Sequence, residues 1–264
     1  MNRIVTISFF LFITAFGFAQ NGKLLDKKLI DISLTPYWYQ FSENDTLKTN
    51  YKYLDQLDFY AITYQSDSSI VKGITIEPKK EGAFPVVIFN RGGNAKFATL
   101  DVSTLIYFTA KLAEQGHIVI ASNYRKEEEY GGADINDVLY LTETIKEINK
   151  ADTSRIGMFG WSRGGMMTYL ALQKSDKIKT AIVGNSPSDL FKIAEYRPYL
   201  EDKVFAEFIP NYWENKETEL KKRSVVYWAD ELSKQSSLLT LCGTKDNSCP
   251  HRQYDEISHL LEKI

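Results

Sequence analysis

The chain has 264 residues, in which 32 lysines and arginines nearly balance 34 aspartates and glutamates, and 44% of the residues are hydrophobic. This is the composition of an ordinary globular protein, which excludes a disordered chain, a collagen-like repeat and a small disulfide-rich domain. The formal net charge of -2 leaves no excess of cations to neutralise a phosphate backbone. Nucleic acid is therefore not expected as a partner.

The first residues have the pattern of a secretory signal. Arg3 supplies a positive start, residues 4–19 form an apolar or weakly polar run, and Gly17 and Ala19 are small residues just before a cut after Ala19. The run is shorter than the roughly 20 residues that a transmembrane helix needs. We therefore expect residues 1–19 to be removed and residues 20–264 to form one exported domain, periplasmic or extracellular, without stable membrane insertion.

Two cysteines, Cys242 and Cys249, would then meet an oxidising compartment. They can close a small loop if their Cα atoms approach within about 7 Å, or they can remain separate thiols, and spacing alone leaves both readings open. With two cysteines and no histidine pair at ligand spacing, no structural metal is expected.

Hydrophobic periodicity predicts a mixed α/β domain. Residues 57–64 and 69–77 alternate between apolar and polar side chains, which indicates an antiparallel pair at the edge of a sheet. Further strands are predicted at 86–89, 117–121, 155–159, 179–183 and 238–242, and helices at 100–115, 135–148, 163–173 and from 251 onward. Strands that alternate with helices predict a mainly parallel sheet with helices on both faces.

Residues 187–235 interrupt this alternation. The segment is charged and aromatic, has helical spacing and contains no convincing strand. An insertion between two strands at the ligand-binding end of a sheet is typical of a lid or pocket wall. A helical cap that only buries the sheet is the other reading, and both can hold.

The sequence Gly160-Trp161-Ser162-Arg163-Gly164 has the form G-x-S-x-G between a predicted strand and a predicted helix. This is the context of a nucleophile raised on a tight turn, so we predict that Ser162 is the nucleophile. The helix that starts at Arg163 points free amides toward the site, and the amide of Arg163 is predicted to stabilise an oxyanion.

Two further parts of a catalytic set follow other predicted strands. Gly92 and Gly93 come after the strand at 86–89 and are predicted to supply a second oxyanion donor. Asp246 follows the strand at 238–242 through a glycine and a short loop, and is predicted to be the acid that orients the catalytic base. The alternative for Asp246 is an aspartate in an ordinary turn.

An ordered set of segments resembles the catalytic domain of the prolyl oligopeptidase family of serine peptidases, which are α/β-hydrolases. The segments are Asn123-Tyr124-Arg125, Gly131-Gly132-Ala133-Asp134 with Asp137, Arg155-Ile156-Gly157, Gly160-Trp161-Ser162-Arg163-Gly164-Gly165 and Gly243-Thr244-Lys245-Asp246. The resemblance runs from about residue 74 to the end. It implies a Ser162 nucleophile, an Asp246 acid and a histidine after it in the chain, cleaving peptide bonds through an acyl-enzyme without a cofactor.

Two departures from the family are visible. Family peptidases usually carry a large amino-terminal β-propeller that filters substrates, whereas only residues 20 to about 50 precede the first predicted strands. Arg91 stands where relatives commonly have a histidine or an aromatic residue. Because the expected domain lacks such a propeller, a carboxylic or carbohydrate esterase that takes small esters is the alternative to a peptidase.

No histidine in the sequence fits the role of the base. His117 precedes the nucleophile and opens a strand at the opposite end of the sheet, and His259 is predicted on the solvent face of the last helix. His251, five residues after Asp246 at a predicted helix start, is an alternative base, but this fold is expected to present its base on a separate loop. A helix, a strand and a loop normally separate acid from base, about 25 to 40 residues, so we expect the sequence to stop before its last strand and helix and its histidine. A non-catalytic binding or remnant protein is the alternative of another class.

The remaining polar candidates are assigned as follows. Trp161, Arg91, Asp189 and Tyr196 are predicted to line the substrate pocket, with helix capping for Asp189 and core packing for Tyr196 as alternatives. Glu127, Glu128 and Glu129 are predicted to form a solvated acidic loop, with attraction of a cationic substrate end as the alternative. Asp134 and Asp137 open a predicted helix, where carboxylates favour the helix dipole, so they are assigned to structure.

Overall fold

A computed structural model describes residues 20–245 and 252–261 of the chain. In this part the backbone forms ten strands: β1 (Leu24–Leu29), β2 (Ser42–Glu43), β3 (Thr46–Leu47), β4 (Leu57–Ser66), β5 (Ser69–Pro78), β6 (Phe84–Asn90), β7 (Ile118–Ser122), β8 (Ala151–Trp161), β9 (Ile178–Gly184) and β10 (Ser237–Leu241). β2 and β3 pair only with each other, and the other strands form one eight-stranded sheet in the order β1-β4-β5-β7-β6-β8-β9-β10.

The sheet is antiparallel at one side and parallel over the rest. β1, β4, β5 and β7 pair antiparallel in turn, whereas β7, β6, β8, β9 and β10 pair parallel. The predicted hairpin of β4 and β5 is confirmed, but it does not form the edge of the sheet, because β1 lies outside it. The prediction of a mainly parallel sheet is confirmed.

Most of the described α-helices have seven residues or fewer, and three have ten to twelve. The α-helices are α1 (Trp38–Phe41), α2 (Val102–Phe108), α3 (Ala110–Glu114), α4 (Ile135–Leu139), α5 (Leu141–Thr144), α6 (Arg163–Lys174), α7 (Leu190–Tyr196), α8 (Pro198–Leu200), α9 (Ala206–Phe208), α10 (Tyr212–Arg223) and α11 (Arg252–Leu261). Short 3-10 helices occur at 32–34, 49–56, 145–147, 225–227 and 229–231, and a π-helical turn at 201–205.

Two predicted helices are broken in the structure. The one at 100–115 divides into α2 and α3 at Thr109, whose φ of -138° is not helical and whose hydroxyl donates to the Leu105 carbonyl. The one at 135–148 divides into α4, α5 and a 3-10 turn. Short helical segments can follow the surface of a twisted sheet, which one long straight helix cannot do.

Apolar side chains cover both faces of the sheet. One core joins α4, α5 and α6 to strand residues such as Ile88 and Ile120, and also takes in the insertion residues Phe205 and Leu220. The other core lies under α2 and α3 and includes Phe89. The helical character predicted for residues 187–235 is confirmed. Among residues 20–245 and 252–261, no helix has both the length and the apolar character needed to cross a membrane.

The strand register brings four loops to the same end of the sheet. Asn90 at the end of β6 is level with Gly160 on β8, and Phe89 is level with Ala121 on β7. Since parallel strands end on the same side, the loops after β6, β7, β8 and β9 meet there. Ser162 follows β8 at this end.

Candidate active site

Ser162 lies on a strained corner between β8 and α6. Its φ of 55° and ψ of -126° belong to a region that residues other than glycine rarely adopt. The corner is held because the N–H of Ser162 donates to the Gly184 carbonyl over 2.9 Å, and its own carbonyl accepts from the N–H of Gly165 over 2.8 Å. The side chain is half-buried, and within the described residues nothing is hydrogen-bonded to its Oγ. The Ser162 hydroxyl is therefore not held by a hydrogen bond to any described residue.

Glycines let the surrounding backbone approach this corner. A Cβ placed on Gly164 would lie 1.8 Å from the Asn90 carbonyl oxygen, so α6 starts in direct contact with the end of β6. A Cβ on Gly165 would lie 2.4 Å from the Cβ of Ser186 in the loop after β9. Only residues without a side chain fit at these two positions.

The loop after β6 lies directly over the serine. A Cβ on Gly92 would lie 3.2 Å from Ser162 Cβ and 3.8 Å from Ser162 Oγ. Within the part of the chain that the structure describes, the N–H groups of Gly92 and Gly93 donate no hydrogen bond. Both residues are partly exposed to solvent. The N–H of Arg163 is at the first position of α6, where helix amides have no intrahelical acceptor. Of the predicted oxyanion donors, Gly92 therefore lies against Ser162, Gly93 follows it in the loop, and Arg163 follows Ser162 at the start of α6.

Behind the loop lies a cluster of four buried charges. Glu128 accepts from Arg91 with one carboxylate oxygen and from Arg163 with the other, and Arg163 also donates to Asp134. Arg91, Arg163 and Asp134 are no more than 1% exposed, and Glu128 is 6% exposed. Both guanidinium groups also lie near the ring of Tyr124, with their carbon atoms 4.7 Å and 4.9 Å from its centroid. Two cations and two anions leave the cluster formally neutral.

The buried environment and the ion pairs act in opposite directions on the two arginines. Burial lowers the pKa of Arg163, but Asp134 and Glu128 beside it outweigh burial, so that its pKa is raised. Burial lowers the pKa of Arg91 and is not fully offset by Tyr124 and Glu128. Both groups remain charged at neutral pH because arginine is not deprotonated in proteins.

Two sequence interpretations are corrected by this cluster. Glu128 does not belong to a solvated acidic loop, because it is buried between two guanidinium groups, whereas its neighbour Glu127 is exposed as predicted. Arg91, predicted to line the pocket, has its side chain inside the cluster. The signal that was missed is the pair of arginines that follow buried strands, because buried guanidinium groups need carboxylate partners.

A second ion network anchors the loop after β7. Arg125 donates to Asp137 through its backbone N–H over 2.7 Å and through its guanidinium over 2.7 Å, and reaches Asp67 over 2.9 Å. Asp137 is fully buried and also accepts from the Ser66 hydroxyl over 2.5 Å. Asp134 and Asp137 therefore have the structural role that was predicted, but through ion pairs with arginines.

Trp161 precedes Ser162 and lies on the face covered by α2. Its ring lies over Gly184, where an added Cβ would come within 2.6 Å of it, and 5.4 Å from the ring of Phe108. Phe108 is 37% exposed. An aromatic surface therefore extends from Ser162 toward α2.

The two pocket candidates in the insertion differ in their environment. Asp189 is 3% exposed and caps α7 by accepting from the N–H of Phe191 over 2.9 Å. Burial raises the pKa of Asp189, against the opposing effect of the amides that it caps. Tyr196, at the other end of α7, is 55% exposed. The capping alternative accounts for Asp189, and the packing alternative does not account for Tyr196.

The acid and the base of a triad are not defined by the structure. Asp246 and His251 lie outside the described residues, as does Cys249, so the disulfide also stays a prediction. His117 precedes β7 at the end of the sheet opposite Ser162, with its Nδ1 3.0 Å from the Leu112 carbonyl oxygen. His259 is exposed on α11. Both positions agree with the sequence analysis.

A large cavity lies away from this site. A space of about 920 Å³ opens between the carboxyl-terminal half of α6 and α10, lined among others by Leu170, Lys174 and Arg223. Leu170 is eight residues along α6 from Ser162, or about 12 Å at 1.5 Å per residue. The chemistry implied by the serine corner is therefore located at the other end of the helix from the cavity.

A mainly parallel sheet covered on both faces, with a serine on a strained turn between a strand and a helix, defines the α/β-hydrolase fold with a nucleophile elbow. The sequence pattern of the prolyl oligopeptidase family matches residues 106–263, which is more than half of the chain. The chain belongs to this family.

Curated relatives and solved structures agree with this assignment. The uncharacterized peptidase YtmA of Bacillus subtilis is 28% identical over 145 residues, which cover 52% of this chain and 55% of the relative. The uncharacterized peptidase YuxL of the same organism is 25% identical over 217 residues, 75% of this chain and 32% of the relative. The acylaminoacyl peptidase of Pyrococcus horikoshii superposes with a TM-score of 0.64 at 24% identity, over 81% of this chain and 36% of that chain, which supports the fold. The chain thus spans between a third and about half of the length of these proteins.

Proposed function

We propose that this protein is a serine hydrolase that cleaves peptide bonds through an acyl-enzyme on Ser162. The observation that carries the proposal is the strained corner of Ser162, which lies against Gly92 and whose hydroxyl has no hydrogen bond to any described residue. Within the described residues, the N–H groups of Gly92 and Gly93 also donate no hydrogen bond. Membership of the prolyl oligopeptidase family supports the peptidase assignment.

In the proposed reaction, Ser162 Oγ bonds to the carbonyl carbon of the substrate while a general base takes the hydroxyl proton. The carbonyl oxygen becomes an oxyanion and accepts from the N–H of Arg163 and from the N–H groups of the glycine loop. The C–N bond then breaks, and the amine leaves with the proton. Water hydrolyses the ester on Ser162 in the second half of the reaction.

We assign the acid to Asp246, whose position after β10 agrees with the order serine, aspartate, histidine that this fold uses. The base of that order is a histidine that follows the aspartate. Asp246→Asn is expected to lower the acylation rate far more than it lowers the stability, since the acid only orients and stabilises the imidazolium.

A fluorophosphonate probe tests the proposal, because it phosphonylates an activated serine and forms a stable adduct. The purified full-length chain should be labelled, and peptide mapping should place the adduct on Ser162. Ser162→Ala should abolish labelling, whereas Ser154→Ala, at the exposed far end of the same strand, should leave it unchanged. A folded parent chain that is not labelled, or labelling that survives in Ser162→Ala, would contradict the proposal.

Hydrolysis of dipeptidyl amides tests the substrate class. Amides and activated esters share the acyl-enzyme step, so an enzyme that hydrolyses acetyl esters but no peptide amide would be a carboxylic or carbohydrate esterase. A peptidase should cleave both, with Ser162→Ala inactive on each.

We also propose that the protein is exported, to the periplasm or the extracellular space. The basis is the amino-terminal pattern of Arg3, the apolar run to Ala19 and the small residues before the expected cut. Fractionation of expressing cells and amino-terminal sequencing should show a mature chain that begins at Gln20. A full-length chain that still begins at Met1 in the cytosolic fraction would contradict export.

A further inference from the structure

We propose that Glu128, together with Arg91 and Arg163, is a positioning device that holds the glycine loop so that the N–H groups of Gly92 and Gly93 face the reacting carbonyl above Ser162. This inference rests on the proposed function. It assigns a role to a buried ion cluster that the reaction itself does not use.

Three consecutive carbonyl groups of the loop are held by the two arginines of the cluster and by the Tyr124 hydroxyl beside them. The Tyr124 hydroxyl donates to the Arg91 carbonyl over 3.1 Å, the Arg91 guanidinium donates to the Gly92 carbonyl over 2.9 Å, and the Arg163 guanidinium donates to the Gly93 carbonyl over 3.0 Å. Each arginine therefore holds one carbonyl of the glycine pair. No carbonyl in this turn is left free to rotate toward the site.

The fixed carbonyls determine where the amides point. The peptide bonds of this part of the chain are trans, and in a planar trans peptide the C=O and N–H groups point in opposite directions. A peptide whose carbonyl faces the buried cluster must therefore direct its N–H away from it. This accounts for the N–H groups of Gly92 and Gly93, which donate no hydrogen bond within the described residues, in a loop whose Gly92 lies beside Ser162 Cβ.

Glu128 joins the two halves of the oxyanion site. One of its oxygens accepts from Arg91 of the glycine loop, and the other accepts from Arg163, the residue that follows the nucleophile. The remaining Arg163 contact to Asp134 ties the same group to the start of α4. One buried carboxylate thus connects the glycine loop to the Ser162 elbow.

The composition of the cluster favours positioning over stability. Burying two ion pairs is often no more stabilising than packing apolar residues of the same volume. A planar guanidinium, however, can bind a carboxylate and a carbonyl at fixed angles at the same time, which an apolar side chain or a lysine cannot do. The arrangement gives directional control at the one loop where the direction of an amide matters.

Two variants test the device, each against the matched control Glu127→Gln, whose side chain is exposed one residue away. Glu128→Gln removes the bridging charge, and Arg163→Lys keeps the charge but not the fork. For each protein, fluorophosphonate labelling gives the maximal rate of inactivation and the concentration for half-maximal rate separately. Amide hydrogen exchange, followed by mass spectrometry on a peptide that spans residues 90–98, reports the loop without any need for activity.

We expect both variants to lose about 10²-fold in the maximal labelling rate, with the half-maximal concentration within about threefold of the parent, since misaligned oxyanion donors act on the rate. Exchange in 90–98 should be at least about tenfold faster, and parental in Glu127→Gln. If Glu128→Gln does not fold, Arg163→Lys decides by the same two measurements, because it leaves the cluster neutral. Folded variants that melt earlier but exchange and label at parental rates would overturn the inference. A parent chain that is not labelled would instead remove the proposed function, and the exchange measurement would still decide whether the cluster holds the loop.

Discussion

Replacing Ser162 by glycine should make the protein more stable while it abolishes reaction with the probe. At φ of 55° and ψ of -126° a side chain is strained, and such strain costs about 1–3 kcal/mol. Glycine removes this cost but adds about 0.5–1 kcal/mol of freedom to the unfolded chain. The net gain is about 1 kcal/mol, which corresponds to about 2–4 °C in Tm for a chain of this size.

Ser162→Ala separates strain from chemistry. Alanine keeps the strained backbone, and within the described residues Ser162 Oγ has no hydrogen bond to lose, so its stability should stay within about 0.5 kcal/mol of the parent. Ser175→Gly is the control at the other end of α6, where φ is -153° and glycine should destabilise by about 0.5–1 kcal/mol. Urea and thermal unfolding followed by circular dichroism measure all three. A Ser162→Gly protein no more stable than Ser162→Ala would refute the strained corner.

Three further predictions concern other contacts of the described residues. Gly164→Ala should lower the free energy of unfolding in urea by about 1–3 kcal/mol, because the new Cβ meets the Asn90 carbonyl oxygen at 1.8 Å. Replacing glycine by alanine inside a helix usually stabilises by about 1 kcal/mol, and such a gain here would show that α6 does not contact β6 at this position. Asp137→Ala should cost about 1–3 kcal/mol, since it removes the buried carboxylate that accepts from Arg125 and from the Ser66 hydroxyl and leaves Asp67 as the ion-pair partner of Arg125, and a loss below about 0.5 kcal/mol would contradict the network. The Asp152 carboxyl should titrate by NMR at a pKa of about 2, because the Ser154 hydroxyl donates to it. The stability that this carboxylate contributes is therefore present above the ordinary pKa near 3.8 and is lost as the pH falls toward 2. Ser154→Ala should raise the pKa of Asp152, and an unchanged pKa would contradict the assignment.

The parts of the fold that follow from local patterns could be predicted from the sequence. The strands β4 to β10 form where alternation or apolar runs indicate them, within a few residues. β1 was missed because LLDKKL contains three charged residues and has an edge-strand pattern of burial, in which no residue is fully buried. An edge strand with one solvated face carries little hydrophobic signal.

The Ser162 corner and the buried ion cluster also differ in how far the neighbouring sequence predicts them. Ser162 and the glycine loop are encoded by short motifs next to strands, so their meeting follows once the strands are parallel. The buried position of Glu128 does not follow from its neighbours Glu127 and Glu129, since three consecutive carboxylates in a loop are normally exposed to solvent. Its burial depends on two arginines that are distant in sequence, 37 and 35 residues away. Only the fold brings these charges together.

The neutrality of the cluster bears on how the proposed site would stabilise an oxyanion. Arg163 is adjacent to the nucleophile, and an unpaired guanidinium there would impose a positive field on the acyl carbon. Its charge is compensated by Glu128 and Asp134, and that of Arg91 by Glu128, so the field at Ser162 is left mainly to the backbone amides and the start of α6. The arginines therefore act by geometry, and a substitution that preserves their charge but not their shape should still impair the reaction. This is the reason that Arg163→Lys discriminates between an electrostatic and a positioning role.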